Sequence, residues 1–131
     1  MGYGILDKIK INFPSRFLNV GCSEQLMIGM AVGLSQNGYI PVCYSISSFL
    51  LYRPFEMIRN YIDYEKTPVK LVGSGRDKDY LHLGITHWCC DDVNIINNFK
   101  NITCYKPDIL NEDELVNLIT NDQPVYINLS R

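Results

Sequence analysis

Short apolar runs that alternate with stretches of helical spacing are the feature that most limits how this chain can fold. Strands buried on both faces of a parallel sheet lose the polar alternation of an exposed strand, and parallel strands need helical crossovers between them. The alternation therefore predicts an α/β fold with a mostly parallel sheet flanked by helices. The predicted strands are residues 17–20, 40–44, 69–72, 102–105 and 125–129.

Helices are predicted where apolar residues recur three or four positions apart, or where an acidic or capping residue opens such a stretch. Pro54 suits the first position of a helix, so the third helix has an alternative start there. Residues 45–48 are polar and residues 76–86 are charged, which predicts a turn and a loop. The predicted helices are residues 3–13, 24–36, 49–64, 88–99 and 111–120.

The composition is that of an ordinary globular protein. Of the 131 residues, 47% are hydrophobic and 20% are charged, which suits one domain over residues 1–131. The net charge is -2 and the basic residues are scattered, which argues against nucleic acid or a membrane surface as a partner. No apolar run is long enough to span a membrane, and the first residues lack the layout of a signal peptide.

Five cysteines, an odd number without any Cys-x-x-Cys spacing, indicate reduced thiols in a cytoplasmic protein and not a disulfide scaffold. We expect most of them to be buried, because their neighbours are apolar. The adjacent Cys89 and Cys90 could be a redox pair or metal ligands. However, neighbouring cysteines bridge only with strain, and no second ligand cluster accompanies them. The chain is thus expected to supply no metal ligand.

A single carboxylate, Glu24, stands between a glycine turn and residues 26–34, an apolar stretch of helical spacing without other charges. Acidic residues stabilise the first turn of a helix, because free N–H groups and the positive end of the macrodipole lie there. This role explains Glu24 when it is considered alone. Its neighbours decide whether it has a further role.

Residues 16–25, Arg-Phe-Leu-Asn-Val-Gly-Cys-Ser-Glu-Gln, resemble a family signature. They are similar to the RF-x-x-VG-I-x-EQ motif of the pyrimidine-binding domain of transketolase-like, thiamine-diphosphate-dependent enzymes. The resemblance covers nearly all of residues 13–129 and includes the ending Val125-Tyr-Ile-Asn-Leu129. It implies the pyrimidine-binding fold of this family, shortened at its N-terminus.

The resemblance gives Glu24 a catalytic and cofactor-binding role. In the family, this carboxyl group hydrogen-bonds to the pyrimidine ring of thiamine diphosphate. The bond favours the tautomer whose imino group removes the proton from the thiazolium carbon. A dry pocket for this purpose is expected to raise the pKa of Glu24. We predict that Glu24→Gln abolishes cofactor-dependent turnover with little loss of fold.

Three further residues, Ile46, Phe49 and Tyr52, are similar to the family segment that packs on the pyrimidine ring. Aromatic faces suit a flat heterocycle, because stacking gives contact area without specific hydrogen bonds. Taken without the other motifs, Phe49 and Tyr52 would be core residues on one helix face. Arg53 also follows the family pattern, and it either binds substrate or braces an interface.

His87 belongs to a segment, Leu83-Gly-Ile-Thr-His87, that resembles the "G-x-TH" loop of the family. An imidazole there lies beside cofactor and substrate and can donate to a sugar oxygen or shuttle its proton. Sugar-phosphate transketolases usually carry Asp where Leu83 stands, which argues against a pentose phosphate substrate. The chain looks closer to short, split subunits of bacterial polysaccharide and secondary-metabolite pathways.

The family motif for the diphosphate, Gly-Asp-Gly followed some thirty residues later by Asn, is absent from the sequence. That motif holds Mg²⁺, which holds the diphosphate. The resemblance therefore implies a separate diphosphate-binding subunit, no activity of this chain alone, and a homodimer or heterotetramer as the assembly. Set against the family pattern, we expect the chain to lack the third, C-terminal transketolase domain and the first helix and strand.

Several functions stay open from the sequence. The main interpretation is the pyrimidine-binding part of a transferase that moves a two-carbon ketol unit in carbohydrate metabolism. A degenerate, non-catalytic interaction domain is the second. A component of a 2-oxo acid decarboxylase or dehydrogenase is the third, and the Thr-His loop favours ketol transfer over it. A small-molecule-binding α/β domain of another family is the fourth.

Overall fold

Four parallel strands form the sheet at the centre of the molecule. The computed structural model describes Gly4 and residues 6–131. The strands are β1 (Val42–Ile46), β2 (Lys70–Ser74), β3 (Thr103–Tyr105) and β4 (Val125–Leu129). Their order across the sheet is β1, β2, β4, β3, and each neighbouring pair is parallel. The predicted α/β class with a parallel sheet is confirmed.

The helices are joined to these strands by short connections. A π-helical segment spans Ile58–Tyr64, and 3-10 turns span Pro14–Arg16 and Leu81–Leu83. None of the helices among the described residues combines the length and apolar character needed to cross a membrane. The α-helices are α1 (Asp7–Asn12), α2 (Glu24–Gln36), α3 (Ser47–Tyr52), α4 (Phe55–Met57), α5 (Asp92–Ile96) and α6 (Glu112–Thr120).

Both faces of the sheet are buried. Successive residues of a strand point to opposite sides, and the side chains on each side pack in an apolar cluster of their own. Leu71 and Tyr126 pack in one cluster with α2, α3 and the π-helical segment. Val125 and Ile127 pack in a second cluster, against α6. This arrangement explains why the strands read as continuous apolar runs in the sequence.

The carboxyl ends of three strands lie level with one another. Ile46 of β1 pairs with Ser74 of β2, and Ser74 pairs with Leu129 of β4. In open parallel sheets, ligands bind outside this edge. Helix α3 begins directly after β1, so its first turn lies at the same edge.

Two local predictions, the strand at residues 17–20 and the turn at residues 45–48, are wrong. Residues 17–20 are not a strand, and Leu18 is 62% exposed. The backbone N–H of Gly21 donates to Asn19 Oδ1 at 2.9 Å, so a local turn takes the place of a ladder. The predicted turn at 45–48 is also absent: it is the end of β1 and the start of α3.

The long helix predicted for residues 49–64 is interrupted at Pro54. Helix α3 ends at Tyr52, a turn follows, and α4 begins at Phe55. Proline has no backbone N–H to donate and its ring clashes with the carbonyl four residues earlier, so the helix cannot continue through it. The last part of the stretch is π-helical.

The helix predicted for residues 88–99 is shorter in the structure. Only α5 is α-helical, because the backbone N–H of Cys89 donates to the carbonyl of Asp77 at 2.9 Å. This bridge ties the residues before α5 to the preceding loop. The predicted helix at 3–13 corresponds to α1, and residues 3 and 5 lie outside the described residues.

The expectation of buried cysteines holds for part of the set. Cys43 and Cys89 are buried and Cys104 is partly buried. Cys22 and Cys90 are exposed, so the prediction is wrong for these two. Within the described part of the chain, no cluster of His, Cys, Asp and Glu side chains is arranged to hold a metal ion.

Candidate functional site

The candidate site lies where the start of α2 meets the carboxyl end of β1. Glu24 is the first residue of α2, and Ser45 is the next-to-last residue of β1. The predicted helix start at Glu24 is therefore correct. A cleft of about 320 Å³ opens beside this helix start, and it is lined by Cys22, Ser23, Glu24, Gln25 and Arg53.

The carboxylate of Glu24 is buried and both of its oxygens accept hydrogen bonds. The residue is 7% exposed. Ser45 Oγ donates to Oε1 at 3.1 Å, and Arg53 Nη1 donates to Oε2 at 2.6 Å. The Arg53 contact is also an ion pair. A buried carboxylate with two such donors is stable in its ionised form.

Burial raises the pKa of Glu24, but this effect is outweighed by hydrogen bonds from Arg53, from the backbone N–H of Glu24 and from Ser45, and by the positive charge of Arg53. The pKa therefore lies below the ordinary value of 4.5. The expectation of a raised pKa is wrong for the chain in this state. The sequence pattern identified the carboxyl group, but it did not predict a cation bonded to it.

Arg53 reaches Glu24 from the break between α3 and α4. The side chain is 45% exposed, and its Cζ lies 3.8 Å from the centre of the Phe49 ring. Gln25 Nε2 donates to the carbonyl oxygen of Arg53 at 3.3 Å. The break at Pro54 thus directs a guanidinium group back over the ring and onto the carboxylate.

His87 lies beside the same aromatic ring. The Phe49 and His87 ring centres are 4.8 Å apart, with their planes inclined by 67°. His87 Nδ1 lies 2.9 Å from Thr86 Oγ1. Ser48 Oγ in α3 donates to the carbonyl of Thr86 at 3.0 Å, which anchors the loop against the helix. Glu24, Arg53, Phe49 and His87 therefore form one continuous chain of contacts.

Tyr52 and Ile46 stand apart from that chain of contacts. Tyr52 is 42% exposed, and its hydroxyl donates to Asp91 Oδ1. Cys89 Sγ lies 3.8 Å from the same hydroxyl. Partial burial is the main cause that raises the pKa of Tyr52, and the hydrogen bond to Asp91 is the second cause. Ile46 is the half-buried last residue of β1. Its place next to α3 is compatible with an aliphatic wall of a ring pocket.

Two serines and a glutamine that the sequence analysis did not select contribute to the site. Ser45 donates to Glu24, Ser48 holds the His87 loop, and Gln25 holds the backbone of Arg53. A signal for Ser45 was available: it is a polar residue at the carboxyl end of an otherwise apolar strand, where parallel sheets bind ligands. Gln25 is the last residue of the matched motif but was given no role, and Ser48 acts through a distant partner and had no local signal.

The arrangement accepts a flat group that carries N–H donors. Phe49 offers an aromatic face, and Glu24 offers an ionised acceptor near its edge. The planar guanidinium of Arg53 makes both contacts in this structure. A protonated aminopyrimidine has the same flatness, positive charge and donor groups. The residues present therefore fit the pyrimidine ring of thiamine diphosphate.

A family of known domains matches almost the whole chain. Residues 5–131 match the family described as "Transketolase, pyrimidine binding domain". Among curated relatives, an apulose-4-phosphate transketolase subunit of Actinobacillus succinogenes is 35% identical over 122 residues, which are 89% of this chain and 38% of the relative. A putative transketolase C-terminal section of Methanocaldococcus jannaschii is 36% identical over 121 residues, which are 91% and 38% of the two chains.

A solved structure with the same fold covers nearly all of the chain. It is described as "Split gene transketolase, inactive beta4 tetramer", with a TM-score of 0.81 and 30% sequence identity. The match covers 99% of this chain and 42% of the other. The chain thus spans about two fifths of the length of the relatives that it matches.

Proposed function

Because the chain belongs to the transketolase pyrimidine-binding domain family, we propose that it is the pyrimidine-binding part of an enzyme that transfers a two-carbon ketol unit with thiamine diphosphate. Residues 1–131 would form a single domain of this kind. The observation that carries the proposal is the buried carboxylate of Glu24, within reach of groups packed on Phe49.

In this proposal, Glu24 holds a proton at the pyrimidine ring nitrogen and Phe49 stacks on the ring. Ile46 and Tyr52 would complete the walls of the ring pocket. When bound, thiamine diphosphate supplies the carbon nucleophile that accepts the ketol fragment. Ser45 fixes the orientation of the Glu24 carboxyl group, so this group need not reorient to bond to the ring.

His87 is proposed to act on the substrate. Its Nδ1 lies against Thr86, which leaves Nε2 for a substrate oxygen. An imidazole in this position can donate a hydrogen bond to a hydroxyl or carbonyl, or pass its proton on. Arg53, half-exposed at the cleft, would attract an anionic or polar part of a small sugar or 2-oxo acid.

The cofactor's diphosphate and its Mg²⁺ are assigned in this proposal to a separate subunit. The sequence has no match to the family's diphosphate motif, and a structural relative is described as a split-gene transketolase. We propose that the chain is active only with such a partner, in a homodimer or heterotetramer. An odd cysteine count without Cys-x-x-Cys spacing supports a cytoplasmic location.

Calorimetry tests the proposal. Thiamine diphosphate and Mg²⁺ are titrated into this chain alone, then into the chain mixed with a partner that carries the Gly-Asp-Gly…Asn motif. Tight binding and ketol transfer are expected only for the mixture. Glu24→Gln in the mixture is expected to lower turnover about a hundredfold or more, since it removes the proton-holding group.

A matched variant and a substrate comparison sharpen this experiment. Glu65→Gln changes an exposed glutamate after the π-helical segment and should keep wild-type turnover. Wild-type turnover in Glu24→Gln would refute the role of Glu24. No cofactor binding with any partner would favour a non-catalytic domain. Carbon dioxide release from a 2-oxo acid without ketol transfer would favour the decarboxylase or dehydrogenase alternative.

A further inference from the structure

The guanidinium of Arg53 makes the two contacts that a bound ring would need. Its Nη1 lies 2.6 Å from Glu24 Oε2, and its Cζ lies 3.8 Å from the centre of the Phe49 ring. A guanidinium is planar, cationic and rich in N–H donors, and it stacks well on aromatic faces. The same face of Phe49 and the same carboxylate oxygen cannot serve Arg53 and a second planar cation at once.

We propose that Arg53 is an internal placeholder for the pyrimidine ring, which occupies the ring site until the cofactor displaces it. This inference rests on the proposed function. It goes beyond a role for Arg53 in substrate binding, because it makes the residue a competitor of the cofactor. The placeholder keeps the buried Glu24 ionised and hydrogen-bonded, and it shields the Phe49 face from water.

The surroundings of Arg53 allow its side chain to leave without a change of fold. The side chain is 45% exposed, so it has room to turn into solvent. Its backbone is held in place, since Gln25 Nε2 donates to its carbonyl oxygen at 3.3 Å. Ser45 keeps its hydrogen bond to the other Glu24 oxygen, so the carboxylate stays oriented while Oε2 is exchanged from Arg53 to the ring.

The placeholder has a measurable cost in affinity. A protein whose binding-competent state is only partly populated binds its ligand more weakly by that fraction. The ion pair of the half-exposed Arg53 with Glu24 and its cation–π contact with Phe49 together are expected to favour the state in which Arg53 covers the ring site by about tenfold. Removal of the guanidinium is therefore expected to tighten binding of the ring, whereas loss of a true ligand contact would weaken it. A placeholder role and a ligand-contact role for Arg53 therefore predict opposite changes in affinity when the guanidinium is removed.

The test uses thiamine, which carries the ring without the diphosphate, and calorimetry on the full chain. Arg53→Gln should bind thiamine about tenfold more tightly than wild type. Arg59→Gln, which changes an exposed arginine of the π-helical segment, is the matched control and should bind like wild type. Equal or weaker binding by Arg53→Gln would overturn the inference while leaving the proposed function intact.

Two further measurements separate the possible failures. In ¹⁵N spectra of wild type, excess thiamine should shift the Arg53 Nε–Hε signal toward its solvent-exposed position, and an unchanged signal would contradict displacement. Glu24→Gln should abolish thiamine binding. If thiamine binds to none of these proteins, or binds equally with and without Glu24, the inference fails, whereas the proposed function is decided by cofactor binding and ketol transfer in the mixture with the partner.

Discussion

Glu24 obtains its environment from three different elements. The residue opens α2, one hydrogen bond comes from β1 and the other from the residue that follows α3. Each donor is more than twenty residues away along the chain. Burial alone would favour the neutral acid, but hydrogen bonds from Arg53, the Glu24 backbone N–H and Ser45, together with the charge of Arg53, reverse that preference, so an ionised carboxylate stays buried.

The depressed pKa of Glu24 predicts how stability depends on pH. A folded-state pKa below the unfolded value of 4.5 gives stability that is present above that pH and lost as pH falls through the folded pKa. We expect wild type to be more stable than Glu24→Gln at pH 7, with the difference shrinking below pH 4.5. Urea unfolding of both proteins at pH 7 and pH 4 measures it, and a difference that grows toward acid would contradict the assignment.

Helix α3 lies closely on strand β2, and a glycine permits the approach. A Cβ atom at Gly73 would lie 2.5 Å from Ser47 Oγ and 3.2 Å from Ser47 Cα. Because the second contact is with backbone, a rotamer change cannot relieve it. The position of α3 matters for the site, since this helix carries Phe49 and Ser48, and Arg53 follows its last residue.

A pair of glycine variants tests this packing. Gly73→Ala should destabilise the fold by about 1–3 kcal/mol, since it overpacks the contact between α3 and β2. Gly33→Ala is the matched variant, because Gly33 lies inside α2 and a Cβ there would meet no atom within 4 Å apart from the backbone of its own helix. It should stabilise by about 0.5–1 kcal/mol, the usual gain of alanine over glycine in a helix. Thermal unfolding compares both with wild type, and equal effects would contradict this account.

The molecule as a whole encloses Cys43 of β1 in its larger apolar cluster. The residue is 4% exposed and packs among residues of α2, α3 and the neighbouring strand. Burial raises the pKa of its thiol to about 12 from the ordinary value of 9.0. The fold therefore resists ionisation of a group that the unfolded chain would ionise readily in mild alkali.

This shift predicts a loss of stability in alkali. A raised pKa gives stability that is complete below pH 9 and is lost as pH rises toward 12. Between pH 8 and pH 10, wild type should lose about 1.4 kcal/mol more than Cys43→Ala. Urea unfolding in the presence of a reductant measures both losses, and subtraction removes the contributions of other groups. Cys90→Ala, at an exposed cysteine, should keep the wild-type loss.

Local patterns in the sequence determined much of the architecture. The bounds of α2 and β4 follow from a capping acid, helical spacing and an apolar run after Pro124, so they could be predicted. The carboxylate of Glu24, the ring of Phe49 and the imidazole of His87 were selected from motifs, and the structure brings them into one cluster. Residues 17–20 misled the prediction, because an apolar run does not reveal whether a neighbouring strand exists.

Only the tertiary structure decided how the selected residues meet. The interruption at Pro54 was foreseen as an alternative helix start, but the direction in which it sends Arg53 depends on the packing of α3 against the sheet. The ion pair between Arg53 and Glu24 joins residues 29 positions apart, and it sets the charge state of the site. Helical spacing and β-strand character are properties of neighbouring residues, whereas pKa values and ring contacts depend on groups that folding alone brings within a few ångströms.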